Sequence, residues 1–354
     1  MKKKILIIFG GMSSEHEVSC SSAVNVIRSL DRDRFIPVII GITKSGKWLS
    51  VDSDMDILDG TWEFGRRRAV LSPDSCDRSV IFFDDESGEI VRARVDCAFP
   101  VLHGKYGEDG TIQGLFELAG LPYVGSGVLS SSICMDKFYT KILAGELGIR
   151  QASYIKASPA DAENVDALDR KIREDFGYPV FVKPSNAGSS CGVSKVMDVS
   201  GLGAALAAAA EIDRKILIEE AIAGREIECA VFGGGCDEVR VLGIGEILSA
   251  SEYYDYDSKY NNPASQTITS PDIPESSAEV IRDEAEKLYK AADCCSLARV
   301  DFFVKEDGEV VFNEINTIPG FTNISMYPKI AEAAGIDHKT LITMLIENGA
   351  GTVR

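Results

Sequence analysis

Arg299-Val300-Asp301-Phe302-Phe303-Val304 and Val311-Phe312-Asn313-Glu314-Ile315-Asn316 are two alternating stretches separated by a polar turn, Lys305 to Glu309. Alternation of period two on either side of a short turn predicts an antiparallel ribbon. Glu314 and Asn316 stand two apart on one strand and so point to one side, where Asp301 can join them from its neighbour. Two carboxylates and an amide oxygen form a hard-oxygen set suited to magnesium, which completes its shell with waters and phosphate oxygens. The bland alternative is an ordinary polar face of a two-stranded ribbon. Arg299, on the same face, can hold an anion beside the metal.

Working upstream, Tyr178-Pro179-Val180-Phe181-Val182-Lys183-Pro184 puts a lysine at the end of an apolar strand, where its charge must find a partner or reach a cleft. The glycine-serine segment after it, Ser189 to Val196, reads as a turn and a second strand, with backbone N–H groups and two hydroxyls able to cover phosphates. Lys137, in Met135-Asp136-Lys137, offers a second cation at the start of a helix over 136–147. Glu219-Glu220-Ala221-Ile222 ends another strand; consecutive residues there can hold an adenine through backbone and a ribose through a carboxylate. Each lysine taken alone is more often a solvated surface charge.

The first 126 residues alternate strand and helix. Ile5 to Phe9 is an apolar strand, Gly10-Gly11 its turn, and Ser14-Glu15-His16-Glu17 has capping-box spacing for a helix through Leu30. Phe35 to Ile42 and Val95 to Leu102 are further buried strands, with hairpins and polar loops between them. This alternation predicts a parallel sheet with helices on both faces. Beyond Gly224 strands dominate, and two helical segments close the chain. The polar stretch from Glu252 to Thr267, rich in tyrosine, reads as a long mobile loop, the kind that is usually functional in a compact domain.

Composition bounds the partners. The chain has 354 residues, 45% of them hydrophobic, and a formal net charge of −18. That length suggests two or three cores, and the acidic balance argues against nucleic acid or an anionic membrane surface. Nine cysteines without a C-x-x-C pair predict small buried thiols in a reducing compartment rather than a disulfide or zinc framework. Lys2-Lys3-Lys4 and the apolar run after it imitate a signal peptide, but the run is too short and Glu15-His16-Glu17 follows. No run approaches a membrane span.

Two motifs tempt and fail. Gly41 to Lys47 matches a phosphate-binding loop, then gives Trp48 where Ser or Thr belongs, and the context is strand and turn. Gly188-Ser189-Ser190-Cys191-Gly192 satisfies G-x-S-x-G, with Asp301 and His338 downstream in the order of a serine hydrolase. That motif needs a helix directly after the turn, and Val193 to Val196 reads as strand.

Together these segments resemble the ATP-grasp ligases, and within them the D-alanine–D-alanine ligase family. The anchors, in order, are Phe9-Gly10-Gly11 with Ser14 to Ser19, His103 to Gly110, Met135-Asp136-Lys137, Lys183-Pro184 with Gly188-Ser189-Ser190, Tyr254-Asp255-Tyr256 with Lys259-Tyr260, Arg299-Val300-Asp301, and Asn313 to Thr322. The resemblance implies an α/β chain of three domains: a Rossmann-like parallel sheet over 1–126 and two α+β ATP-grasp domains over 127–217 and 218–354. It implies ATP between the second and third domains, held by Lys137, Lys183, Ser190, Glu219, Glu220, Ala221, Ile222, Glu226, Lys259 and Phe302. Two Mg²⁺ ions, replaceable by Mn²⁺, fall to Asp301, Glu314 and Asn316. Glu15 takes the ammonium of the first D-alanine near Ser189 and Tyr260, and His103 belongs to the substrate set. Arg299 and the Gly320 N–H meet the tetrahedral intermediate, and Ser325 with Lys259 fixes the second carboxylate. Met326 offers an apolar wall for a methyl, where relatives that take D-serine or D-lactate tend to carry arginine. Two departures stand out: Glu220 where lysine is common beside adenine, and Cys191 in place of valine. The implied protein is a cytoplasmic homodimer making D-alanyl-D-alanine for peptidoglycan precursors, with no nucleic-acid or membrane partner.

Overall fold

A computed structural model describes residues 2–248 and 266–352. Its first sheet contains β1 (Lys3–Gly10), β2 (Phe35–Ile42), β3 (Trp48–Val51), β4 (Arg67–Leu71), β5 (Ser79–Asp84), β6 (Ile90–Arg94) and β7 (Cys97–Val101), in the order β6-β5-β4-β3-β2-β1-β7. In β1 every second side chain serves a different core. Ile5, Ile7 and Phe9 pack on one face and Leu6 and Ile8 on the other, all fully buried. Burying each contributes roughly 1.5–3 kcal/mol, so β1 lies at the centre.

The parallel expectation holds for part of this sheet. β2, β1 and β7 are parallel, whereas β3 to β6 are joined by antiparallel pairings. Short turns such as Thr43 to Lys47 leave no room for a crossover and force the chain back on itself. Helix α1 (His16–Ser29) follows β1, but no side chain caps its start. The capping-box spacing fails because the N-cap falls on Glu15 rather than Ser14, and Glu17 pairs with Lys44 at 2.5 Å while Glu15 accepts from Ser189. Helices α2 (Asp54–Leu58) and α3 (Thr111–Leu118) complete this region.

The second sheet joins β8 (Tyr154–Ala157), β9 (Val180–Pro184), β10 (Ser194–Val196) and β11 (Ile216–Glu220) in the order β10-β9-β11-β8, all antiparallel. Helices α4 (Val128–Met135), α5 (Lys137–Glu146), α6 (Asp166–Asp175) and α7 (Val199–Ala210) accompany it. The third sheet, β14-β13-β12-β15-β16, uses β12 (Arg225–Gly234), β13 (Asp237–Leu248), β14 (Gln266–Ile268), β15 (Ser296–Val304) and β16 (Val310–Asn316). Helix α8 (Glu275–Ala291) packs beside it, followed by α9 (Met326–Ala333) and α10 (His338–Gly351). Leu341, Ile342, Leu345 and Ile346 of α10 share a core with β1, β7 and α1, which ties the end of the chain to its beginning. All nine cysteines are free thiols. No helix among the described residues is long and apolar enough to cross a membrane.

Candidate active site

β15 and β16 pair antiparallel, as the alternation on either side of the turn predicts. Asp301 lies opposite Glu314 and Arg299 opposite Asn316, with an irregularity just after Asp301. Arg299 donates through Nε and Nη2 to the two oxygens of Asp301 at 2.8 and 2.7 Å, a bidentate charge-assisted pair. Asn316 Nδ2 donates to Asp301 at 2.8 Å. Glu228, next to Asp301 on β12, stands 3.2 Å from Arg299. Burial opposes the guanidinium charge, but Asp301 and Glu228 override it and hold Arg299 well above its ordinary value. Phe302 turns the other way into the core, edge-on to Phe312.

Lys137 opens α5 under an Asp136 cap. Asp136 accepts from Ser185 Oγ at 2.5 Å and from Asn186 at 3.1 Å, which fastens this helix start to the loop after β9. Lys137 Nζ donates to Ala187 O at 2.9 Å and pairs with Glu314 at 3.0 Å. Burial works against its charge, yet Glu314 and Glu219 raise it. Lys183 pairs with Glu219 at 2.6 Å, and Lys141 approaches the same carboxylate at 3.5 Å. Burial would raise Glu219, but the two lysines keep it below the usual carboxylate range. Glu219 is therefore engaged with the cations rather than turned outward. Glu220 accepts from Ser153 N at 3.0 Å, at the edge of the cleft.

Glu15 lies at the carboxyl ends of the parallel strands, where ligands bind in such sheets. Ser189 donates to it from the glycine-serine hairpin. Ser189 and Ser190 both adopt left-handed backbone, φ +48° and +57°. Space around Glu15 is tight, since a Cβ on Gly188 would fall 2.6 Å from its Oε2. His103 donates through Nδ1 to Ile318 O at 3.0 Å, while Nε2 lies 3.3 Å from Ser22 Oγ. Burial keeps its imidazole below the ordinary value, against the pull of Glu15. Ser325 stands at the N-cap position of α9 but its side chain makes no cap hydrogen bond; its Oγ accepts instead from Thr322 N at 2.9 Å, and Met326 is buried beside it.

These groups line two adjoining cavities of about 920 and 1130 Å³, open mouths included. Glu15, His103, Gly320, Ser325 and Met326 border the first; Lys183, Ser190, Glu219, Glu220, Ile222, Glu226, Asp301 and Phe302 border the second. Lys137, Ser189, Glu228, Arg299 and Glu314 border both, and Asn316 the first, so the cleft is continuous. Ala221 borders neither. Lys259 and Tyr260, with most of the 252–267 loop, lie outside the described residues.

Three charged residues here escaped the sequence reading. Glu228 is two residues from Glu226 on one strand face, so alternation could have found it. Lys141 is one helical turn after Lys137, also a readable spacing. Glu108 accepts from Gly104 N at 2.8 Å and Ile318 N at 3.2 Å, in a loop without periodicity. Burial and then Glu15 push its carboxyl up to about 8.

The donor set fits a divalent cation. Asp301 and Glu314 are register partners, and among the described residues the cleft gathers Glu15, Glu228, Asp301 and Glu314 around Arg299 and Lys137, outside the Lys183–Glu219–Lys141 cluster. That surplus of hard oxygen suits Mg²⁺.

Two family descriptions match the chain: "D-ala D-ala ligase N-terminus" over residues 4–126 and "D-ala D-ala ligase C-terminus" over 143–347. A D-alanine–D-alanine ligase of Acetivibrio thermocellus is 50% identical over 98% of this chain and 95% of its own. Among solved structures, the VanG D-Ala:D-Ser ligase of Enterococcus faecalis superposes with a TM-score of 0.87 at 38% identity, over 99% of this chain and 100% of that one. The D-alanine–D-alanine ligase of Coxiella burnetii gives 0.84 at 35%, over 99% and 95%.

Proposed function

The chain belongs to the D-alanine–D-alanine ligase family, and from that premise we propose that it joins two D-alanine molecules with ATP. The reaction passes through D-alanyl phosphate and yields D-alanyl-D-alanine, ADP and phosphate, the dipeptide serving peptidoglycan precursors. The observation that carries this reading is the continuous cleft, with an anchored carboxylate, Glu15, at one end and buried lysines at the other.

A carboxylate is a poor electrophile, so its oxygen must first be phosphorylated. Lys137 and Lys183 would neutralise the transferring phosphoryl group, and the Ser189–Ser190 hairpin would cover it. Asp301, Glu314 and Asn316 would hold Mg²⁺, or Mn²⁺ in its place, which when bound offsets phosphate charge. Glu226 and the backbone of 219–222 would take ribose and adenine. Glu15 would receive the first ammonium, its orientation set by Ser189. Arg299 and the Gly320 N–H would meet the oxyanion formed when the second amine attacks, and one such donor is worth about 3–4 kcal/mol. Ser325, at a helix start whose dipole favours anions, would hold the second carboxylate. His103 has both nitrogens engaged by protein, so its part would be to steady the 318–321 loop. Lys259 and Tyr260 remain assigned by family resemblance, as do a homodimer and a cytoplasmic location.

Phosphate release from Mg-ATP should depend on D-alanine and fall by about 10²-fold or more in Asp301→Asn and in Glu314→Gln. Phosphate release without D-alanine, or an unchanged rate in both variants, defeats the reading. The likeness to a D-Ala:D-Ser ligase raises the second reading, D-serine as acceptor. Buried Met326 favours a methyl over a hydroxyl, so D-alanine should dominate the products when both amino acids compete.

A further inference from the structure

Directly after Glu15, the first turn of α1 gathers ligand atoms that the ligase reaction does not use. His16, Glu17 and Cys20 each place one ligand atom within 4.8 Å of the others. None of the three borders either cavity of the cleft. His16 is 1% exposed. Its Nδ1 lies 2.8 Å from the carbonyl oxygen of Gly11, so Nδ1 must carry the proton and donate. A neutral ring then presents its lone pair at Nε2, and that atom is buried without a hydrogen-bond partner among the described residues. An imidazole fixed by a backbone carbonyl through its other nitrogen is the arrangement metal-binding histidines adopt. Glu63 Oε1, from the turn Thr61–Phe64, stands 3.5 Å from Nε2. Cys20 lies one helical turn from His16 on the same half-buried face.

We propose that the His16 imidazole, the Glu17 carboxylate and Cys20 Sγ form a binding site for a zinc-class divalent cation, distinct from the hard-oxygen set of the cleft. Nitrogen, sulfur and carboxylate together match the borderline-soft, tetrahedral preference of Zn²⁺ and not that of Mg²⁺. Glu17 exchanges its Lys44 partner for the ion, and Glu63, beside His16, supplies the fourth ligand; otherwise water does. Cys20 gives up its thiol proton to solvent on binding, so no other reactant is needed. The ion fastens the start of α1, one residue beyond Glu15, to the Thr61–Phe64 turn.

The test uses chelator-treated, full-length protein without nucleotide, titrated with Zn²⁺ or with Co²⁺ as a coloured probe. The wild type should show a thiolate-to-cobalt absorption band and quenched fluorescence of Trp62, whose ring stacks on His16 at 6.0 Å. Cys20→Ala should lose the band, and His16→Gln should bind Zn²⁺ about tenfold or more weakly. Asp301→Asn with Glu314→Gln should keep both signals. If His16→Gln does not fold, Cys20→Ala and Glu17→Gln carry the same comparison, with Zn²⁺ raising the thermal midpoint of the wild type only. A band that survives Cys20→Ala, or equal Zn²⁺ affinity in all variants, overturns the proposal and leaves His16 and Glu63 as a plain ion pair.

Discussion

Glu108 receives two backbone N–H donors and yet is held above the ordinary carboxylate value, because burial and the neighbouring Glu15 outweigh them. Its folded value of about 8 against an ordinary 4.5 fixes the sign of its contribution. Between those two values the unfolded chain has released a proton that the folded chain retains. Stability therefore falls as pH rises through that window and levels off above it. Glu108→Gln removes this titration. Its denaturation midpoint should vary less with pH than that of the wild type from about pH 5 to about pH 8.5. Equal slopes in the two proteins would mean that Glu108 ionises normally.

At the scale of elements, the loop from Ser185 to Val193 lies where the two cavities of the cleft meet. Asp136 ties its beginning to the start of α5, and β10 ties its end to β9, so only its tip reaches Glu15. A Cβ at Gly188 would press on the Glu15 carboxylate at 2.6 Å. Gly188→Ala should thus raise the KM for D-alanine, by up to about 10²-fold for a displacement near 1 Å, and change the KM for ATP much less. An equal rise in both would point to a general disturbance of the hairpin. This element was legible because its turn residues and following strand follow period-two rules, and so was the Asp301–Glu314 ribbon. The strands β8 and β14 and the helix α4 were not: they are short, and their pairing depends on distant partners rather than on local pattern. The ion pairs of Glu219 were not legible for a related reason. Strand-end location was readable, but its engagement with Lys183 and Lys141 arises from three separate elements meeting in space.

For the whole molecule, the order of the chain disguises its packing. The last helix, α10, buries Leu341, Ile342, Leu345 and Ile346 against the first sheet and α1, although the third sheet intervenes in sequence. The N-terminal region is thus incomplete without the C-terminal one, and Glu15 is carried on a scaffold that both ends build. Leu345 is fully buried in that shared core. Leu345→Ala should cost about 2–5 kcal/mol, the usual loss for such a truncation. Both tryptophans, Trp48 and Trp62, belong to the first region, so their fluorescence reports its unfolding separately from the rest. The expected outcome is a lower denaturant midpoint by tryptophan fluorescence, matched by an equal shift in the far-ultraviolet circular dichroism of the entire chain. A shift in circular dichroism with an unmoved tryptophan transition would show that α10 stabilises only its own half, and that the two ends fold independently.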